Sequence, residues 1–261
     1  MLLSHVFMTS YMTKVIALFN QSGGVGKSTL TMNLGYHLAQ KGHKVLLIDM
    51  DPQSSLTVFM GLDPVELKKT VYNAIIGEEP LPIFHDIHGV DIAPSNINLC
   101  AAELELVSAM MREVRLKDTL EPLLKDYDFI LIDCPPSLAL LSVISLVAAT
   151  HVLVPIQTQF KSFQGTELLL NTVIGLRAKA NKNLGFAGFV PTMYDGRTAQ
   201  ESRTLAAIIE QLTPLATVFP PVPKSIAFAD ASEARLPLAL NSTKHPALTV
   251  LNTITSALEA L

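Results

Sequence analysis

Short apolar runs alternate along this chain with longer stretches whose apolar residues recur every third or fourth position. Val15 to Phe19, Lys44 to Ile48, Val90 to Ala93, Phe129 to Ile132, His151 to Ile156, Phe186 to Val190 and Ala216 to Phe219 are the short runs. Their near-continuous apolar character predicts strands covered on both faces. Leu30 to Gln40, Leu138 to Ala148 and Ser162 to Ala180 read as helices, the last with Leu168, Leu169, Val173, Ile174 and Leu176 near one face. The final stretch, His245 to Leu261, carries Leu248, Val250, Leu251, Ile254, Leu258 and Leu261 and reads as a core-packing helix. Strands alternating with helices predict an α/β fold, a doubly wound, mostly parallel sheet of about seven strands with helices on both faces. Phe219-Pro220-Pro221-Val222-Pro223 is too short for a linker and is expected to fix a loop at a strand end.

Composition narrows the class. The chain has 261 residues, of which 49% are apolar and 16% charged, enough to bury one large core and too apolar for disorder. No internal repeat or linker divides it, so residues 14–261 are expected to form a single domain. Residues 1–13 are read as a disordered N-terminal extension, with Met8 and Met12 as alternative starts and no signal-peptide pattern. No apolar run is long enough to span a membrane. A net charge of −4 announces no global affinity for nucleic acid. Two cysteines, Cys100 and Cys134, supply no disulfide framework and suit a reducing, cytoplasmic compartment.

The chemistry sits at strand ends. After the first run, Gln21-Ser22-Gly23-Gly24-Val25-Gly26-Lys27-Ser28-Thr29 leads into a helix. A strand, a glycine loop and a helix N-terminus together make a phosphate-binding loop. Gly23, Gly24, Val25, Gly26 and Thr29 would line the phosphates, Lys27 would reach the β- and γ-phosphates, and the Ser28 hydroxyl would bind Mg²⁺. The ordinary P-loop has glycine where Gln21 stands. Asp49 and Asp51 follow the second strand, two residues apart and so on one side of it. Asp133 ends another strand, the arrangement that holds Mg²⁺ directly or through water. A lone Asp at such a place is more often a helix cap; three of them with a P-loop point to one site. Asp51 is the candidate to orient the attacking water and Asp49 to support the metal, with the two roles open to exchange.

In order and spacing these residues resemble the ParA/MinD ATPases, whose deviant loop reads Lys-Gly-Gly-x-Gly-Lys-Ser/Thr. Asp49-Met50-Asp51-Pro52-Gln53 is similar to the family's first switch, and Asp133-Cys134-Pro135-Pro136 to its second. Pro191, Thr192 and Met193 resemble its late strand and loop beside the adenine, with Pro221 and Pro223 nearby, and Ser232-Glu233-Ala234 also has a counterpart. The resemblance runs from Lys14 to Leu261. It implies an ATP-bound homodimer enclosing two nucleotides, non-specific DNA binding, a nucleoid-associated location, and an adaptor protein that stimulates hydrolysis. For DNA the candidate residues are Arg203, Lys224, Arg235 and Lys244.

One departure matters. The family's signature lysine is replaced by Ser22, which carries no charge. Either hydrolysis proceeds without a cation from the partner subunit, or another cation moves in. Lys161, in the loop after His151 to Ile156, is the candidate, against the plainer reading of a solvated lysine. With the other motifs intact, that loss resembles the carboxysome-positioning branch of the family; a plasmid or chromosome partition ATPase is the alternative. A nitrogenase-reductase-like iron protein would use Cys100 and Cys134, but both read as small apolar residues. A membrane-associated MinD-like protein would want a basic amphipathic C-terminal helix, and His245 to Leu261 contains no Lys or Arg. A dethiobiotin-synthetase-like ligase carries no comparable Asp-Pro-Gln segment.

Overall fold

Period-two alternation along the central strands sorts the core into two layers. In β1 (Lys14–Leu18), Val15 and Ala17 face one layer while Ile16 and Leu18 face the other. The same split divides β2 (Val45–Asp49) and β5 (Phe129–Asp133). Leu46, Ile48, Ile130 and Ile132 join the first layer, and Val45, Leu47, Phe129 and Leu131 the second. Both faces are apolar because helices cover both. The computed structural model describes residues 13–159, 163 and 165–261.

The remaining strands are β3 (Phe84–Ile87), β4 (Val90–Ala93), β6 (His151–Gln157) and β7 (Gly185–Thr192). Together they form one seven-stranded sheet in the order β3-β4-β2-β5-β1-β6-β7. Every pairing is parallel except β3 with β4. Leu18 pairs with Asp133 and Asp133 with Asp49, so three strands end side by side at one edge. The first layer is covered by α3 (Val71–Gly77), α4 (Leu99–Glu105), α5 (Arg115–Leu120), α6 (Leu140–Ala148), α7 (Thr166–Lys179) and α8 (Ala199–Leu212). Over the second lie α1 (Lys27–Gln40), α2 (Ser55–Phe59), α9 (Ala227–Glu233), α10 (Leu238–Asn241) and α11 (Ala247–Glu259).

The strand count agrees with expectation, but one strand differs. Phe84–Ile87 is mostly exposed and carries no continuous apolar signal. It pairs because His88 and Gly89, with φ of 55° and 81°, form a tight reversal into β4. Ala216 to Phe219 runs beside β7 through a single bridge, Phe189 with Val218. It approaches at Gly188, whose φ is 145° and where a Cβ would lie 2.5 Å from the Phe219 ring. Pro220 and Pro221 then remove the donors that a longer strand would need. In α7, Leu169 and Val173 are buried, whereas Leu168 and Ile174 are exposed and belong to other faces. The last helix buries Leu251, Ile254 and Leu258 in the second layer, as a core-packing helix should. Among the described residues no helix is long and apolar enough to cross a membrane.

Candidate functional site

The site grows from the loop between β1 and α1. Gly24 and Gly26 have φ of 71° and 91°, values that a side chain would strain. Gly26 also occupies the N-cap of α1 and offers no side-chain cap, so the first-turn amides are left for an anion. The loop is braced from three sides. Asn20 donates from Nδ2 to the Pro155 carbonyl at 2.7 Å and accepts the Ser22 amide at 2.9 Å. Gln21 Nε2 donates to the Gly165 carbonyl at 2.8 Å. The Thr192 hydroxyl donates to the Val25 carbonyl at 2.9 Å, tying β7 to the loop.

Lys27 is buried, and its Nζ donates to the carbonyls of Asn20 and Ser22, both at 3.0 Å. Burial lowers its pKa, while Asp133, Cys134 and Asp51 pull it back up. The three carboxylates differ in how they are held. Asp49 Oδ2 accepts from the Thr57 hydroxyl at 2.7 Å and the Thr57 amide at 2.9 Å, and Oδ1 accepts the Asp51 amide at 3.1 Å. Burial pushes its pKa to about 7 despite those bonds. Asp51 accepts the Gln53 amide at 2.9 Å; burial raises its pKa, opposed by that amide and by Lys27. Asp133 has no exposed surface, and among the described residues neither carboxylate oxygen meets a donor in good hydrogen-bond geometry, although the Ser28 hydroxyl lies near enough to favour its charged form. Burial first, and Asp49 next, raise its pKa well above the ordinary carboxylate value, with Ser28 and Lys27 opposing.

A buried carboxyl with no partner is expensive unless something binds it. A divalent cation fits: Asp133 supplies oxygen, and Ser28 lies close enough to act on it. Among the described residues no three His, Cys, Asp or Glu side chains converge to cage an ion alone. Mg²⁺ takes one or two protein oxygens and completes its shell with water and phosphate.

Beside the P-loop lies a cleft of about 320 Å³. Gly26, Thr29 and Leu30 form one wall, and Thr192, Met193, Pro223, Lys224, Ile226 and Phe228 contribute to the rest. Its mostly apolar walls next to a phosphate loop suit a purine base. Thr192, Met193 and Pro223, expected beside the base, line this cleft. Pro191 and Pro221 do not line the cleft; the Pro191 carbonyl accepts the Val222 amide at 2.8 Å. Ile226 and Phe228 carry no motif of their own in the sequence, and only the fold brings them to the cleft.

Lys161 lies outside the described residues. The four residues expected at DNA are all exposed. Lys224 lines the cleft, and Arg203 stands exposed on α8 over the first layer. Arg235 and Lys244 are exposed next to α9 and α11, over the second layer. Of the cysteines, Cys134 is buried as an apolar residue would be, with its thiol pushed up to about 12, whereas Cys100 is exposed.

The AAA domain model (AAA_31) matches residues 13–186. The chromosome partitioning protein ParA of Caulobacter vibrioides is 38% identical over 197 residues, covering 74% of each protein. A Mycobacterium smegmatis structure described as cobyrinic acid a,c-diamide synthase with ADP and magnesium aligns with a TM-score of 0.84 at 32% identity, over 95% of this chain and 94% of that one. An ATP complex of Cyanothece McdA aligns with a TM-score of 0.85 at 27% identity, over 95% and 97%. The chain belongs to the ParA/MinD family of P-loop ATPases, enzymes that bind and hydrolyse ATP with Mg²⁺.

Proposed function

We propose that this ATPase is a positioning motor of the partition type. ATP closes two subunits around two nucleotides, the closed dimer holds DNA without sequence preference, and an adaptor on the cargo triggers hydrolysis and release. The observation that carries the reading is the unpartnered Asp133 carboxyl beside Lys27 and Asp51, a charge arrangement completed by Mg²⁺ and a triphosphate. When bound, the metal would offset negative charge on the phosphate oxygens.

Each residue has a part. Gly23 to Gly26 and Thr29 present backbone amides to the phosphates, and Lys27 leaves the carbonyls of Asn20 and Ser22 for the β- and γ-phosphates. Ser28 and Asp133 hold Mg²⁺. Asp51 orients the attacking water: among the described residues its side chain accepts only the Gln53 amide, and it stays near Lys27. Asp49 serves better as a brace than as a metal contact, since both its oxygens already accept protein donors. Thr192, Met193 and Pro223 flank the base. Ser22 stands where the family has its signature lysine, and Lys161 is the proposed replacement cation. Lys161→Ala is expected to weaken ATP-driven dimerisation; unchanged dimerisation would remove it from the site.

For the cargo, the 38% identity to a chromosome partitioning protein favours DNA over the carboxysome suggested by Ser22, whose structural counterpart is 27% identical. The test is binding to several unrelated duplexes with ATP, with ADP and without nucleotide, over a series of salt concentrations. Binding only with ATP, equal among sequences and falling steeply with salt, is expected. Equal binding in all three nucleotide states would refute the switch.

A further inference from the structure

A buried polar chain lies behind the carboxylates. Thr57, in the middle of α2, has no exposed surface, nor do Asp49 and Ser95 on either side of it. Its hydroxyl donates to Asp49 Oδ2 at 2.7 Å and accepts the Ser95 amide at 2.9 Å. One proton given and one received fix the hydroxyl's direction. Its own amide donates to the same Asp49 oxygen at 2.9 Å. The other Asp49 oxygen receives the Asp51 amide at 3.1 Å. The turn beyond is closed by the Gln53 amide on Asp51 Oδ1 and the Ser54 amide on the Asp51 carbonyl, both at 2.9 Å.

These bonds cross the sheet edge. Ser95 follows β4 and Asp49 ends β2, two strands paired through Ile48 and Ala93. Thr57 thus joins the loop after β4 to the turn that carries Asp51. We propose that Thr57 is a positioning residue for ATP hydrolysis: anchored by the Ser95 amide, it holds the Asp49 carboxylate, which holds the Asp51 backbone and so sets where the Asp51 side chain stands. The proposal rests on the reading of Asp51 as the water-orienting carboxylate. Thr57 touches neither ATP nor water in this scheme; it acts through two other residues.

A buried hydroxyl used only for folding would, when removed, lower stability and leave turnover per folded molecule unchanged. A positioning hydroxyl changes the chemical step. Misplacing a reacting group by a fraction of its own size costs on the order of tenfold to a hundredfold in rate. The experiment measures single-turnover ATP hydrolysis and ATP affinity for wild type, Thr57→Val, Thr57→Ser and Asp51→Asn, with melting curves to establish folding. Thr57→Val keeps the shape and removes the hydroxyl. Its hydrolysis rate should fall about tenfold or more while the ATP Kd stays within about threefold, and Thr57→Ser should recover most of the rate. If Thr57→Val does not fold, Thr57→Cys, of similar size and a weaker donor, is read in the same way. A folded variant lacking the hydroxyl that hydrolyses ATP at the wild-type rate would overturn the proposal, as would a loss confined to ATP affinity. Asp51→Asn separates the two levels. A wild-type rate there removes the reading of Asp51, and the proposal with it, whereas a collapse there beside a normal Thr57→Val rate removes the proposal alone.

Discussion

The two edges of the sheet treat charge in opposite ways. At the amino ends of the strands, Lys41 pairs with Glu259, His43 Nε2 meets Glu259 at 2.8 Å, and Lys14 Nζ donates to the Glu259 carbonyl at 2.7 Å. These groups are partly exposed and find partners within the protein. At the carboxyl ends, Asp49, Asp51 and Asp133 lie at 0%, 8% and 0% exposure with Lys27 as the cation acting on Asp51 and Asp133. Asp133 there has no hydrogen-bond partner among the described residues. Charges that serve stability are satisfied by the fold. Charges left wanting mark the place where a ligand supplies the rest.

The largest effect should come from Lys27→Ala. It removes a charge-assisted contact to two phosphates, so ATP affinity should fall about a hundredfold or more, with loss of ATP-driven dimerisation. Calorimetric titration and sedimentation measure both. Asp51→Ala should leave ATP bound but slow hydrolysis by about a hundredfold to ten-thousandfold. A wild-type rate would move the water-orienting role elsewhere.

The next prediction concerns pH. Burial raises the pKa of Asp49 to about 7 from 3.8 and that of Asp133 in the same direction. The folded state therefore holds these protons more tightly than the unfolded chain does. Their stabilising contribution is complete below about pH 4 and is lost as pH rises through the folded values. The nucleotide-free protein should lose stability as pH rises from about 4 through about 7, and Asp133→Asn should flatten that loss. Denaturant melts at fixed pH read this directly. The opposite edge supplies the smallest effect. Glu259 has its pKa lowered by its bonds to Lys41 and His43, so its contribution is present above its ordinary value of 4.5 and lost as pH falls. Glu259→Gln should cost roughly a few tenths of a kcal/mol, screened by solvent, and leave ATP turnover unchanged.

Much of this contrast is legible in the sequence. A glycine loop between strand and helix, and an Asp at the end of an apolar strand, have local signatures, and these point to Lys27, Ser28, Asp49, Asp51 and Asp133. What the sequence hides is relational. Nothing local distinguishes Asp49, whose oxygens are taken by Thr57 and Asp51, from Asp133, whose oxygens meet no protein donor among the described residues. Thr57 sits eight residues past Asp49, and its link to Ser95 depends on which strands pair. β3 leaves no continuous apolar run because it is a mostly exposed edge made by a two-residue reversal. Ala216 to Phe219 looks like a strand because its apolar side chains pack beside β7, yet it joins that strand through a single bridge.

The central claim is that the unpartnered Asp133 carboxyl is held in readiness for Mg²⁺ with ATP. Its most direct test is the Mg²⁺ dependence of ATP affinity in wild type and in Asp133→Asn. The account predicts that Mg²⁺ tightens ATP binding to the wild type by about tenfold or more and that Asp133→Asn loses most of that gain while staying folded. An equal response to Mg²⁺ in both proteins would contradict it.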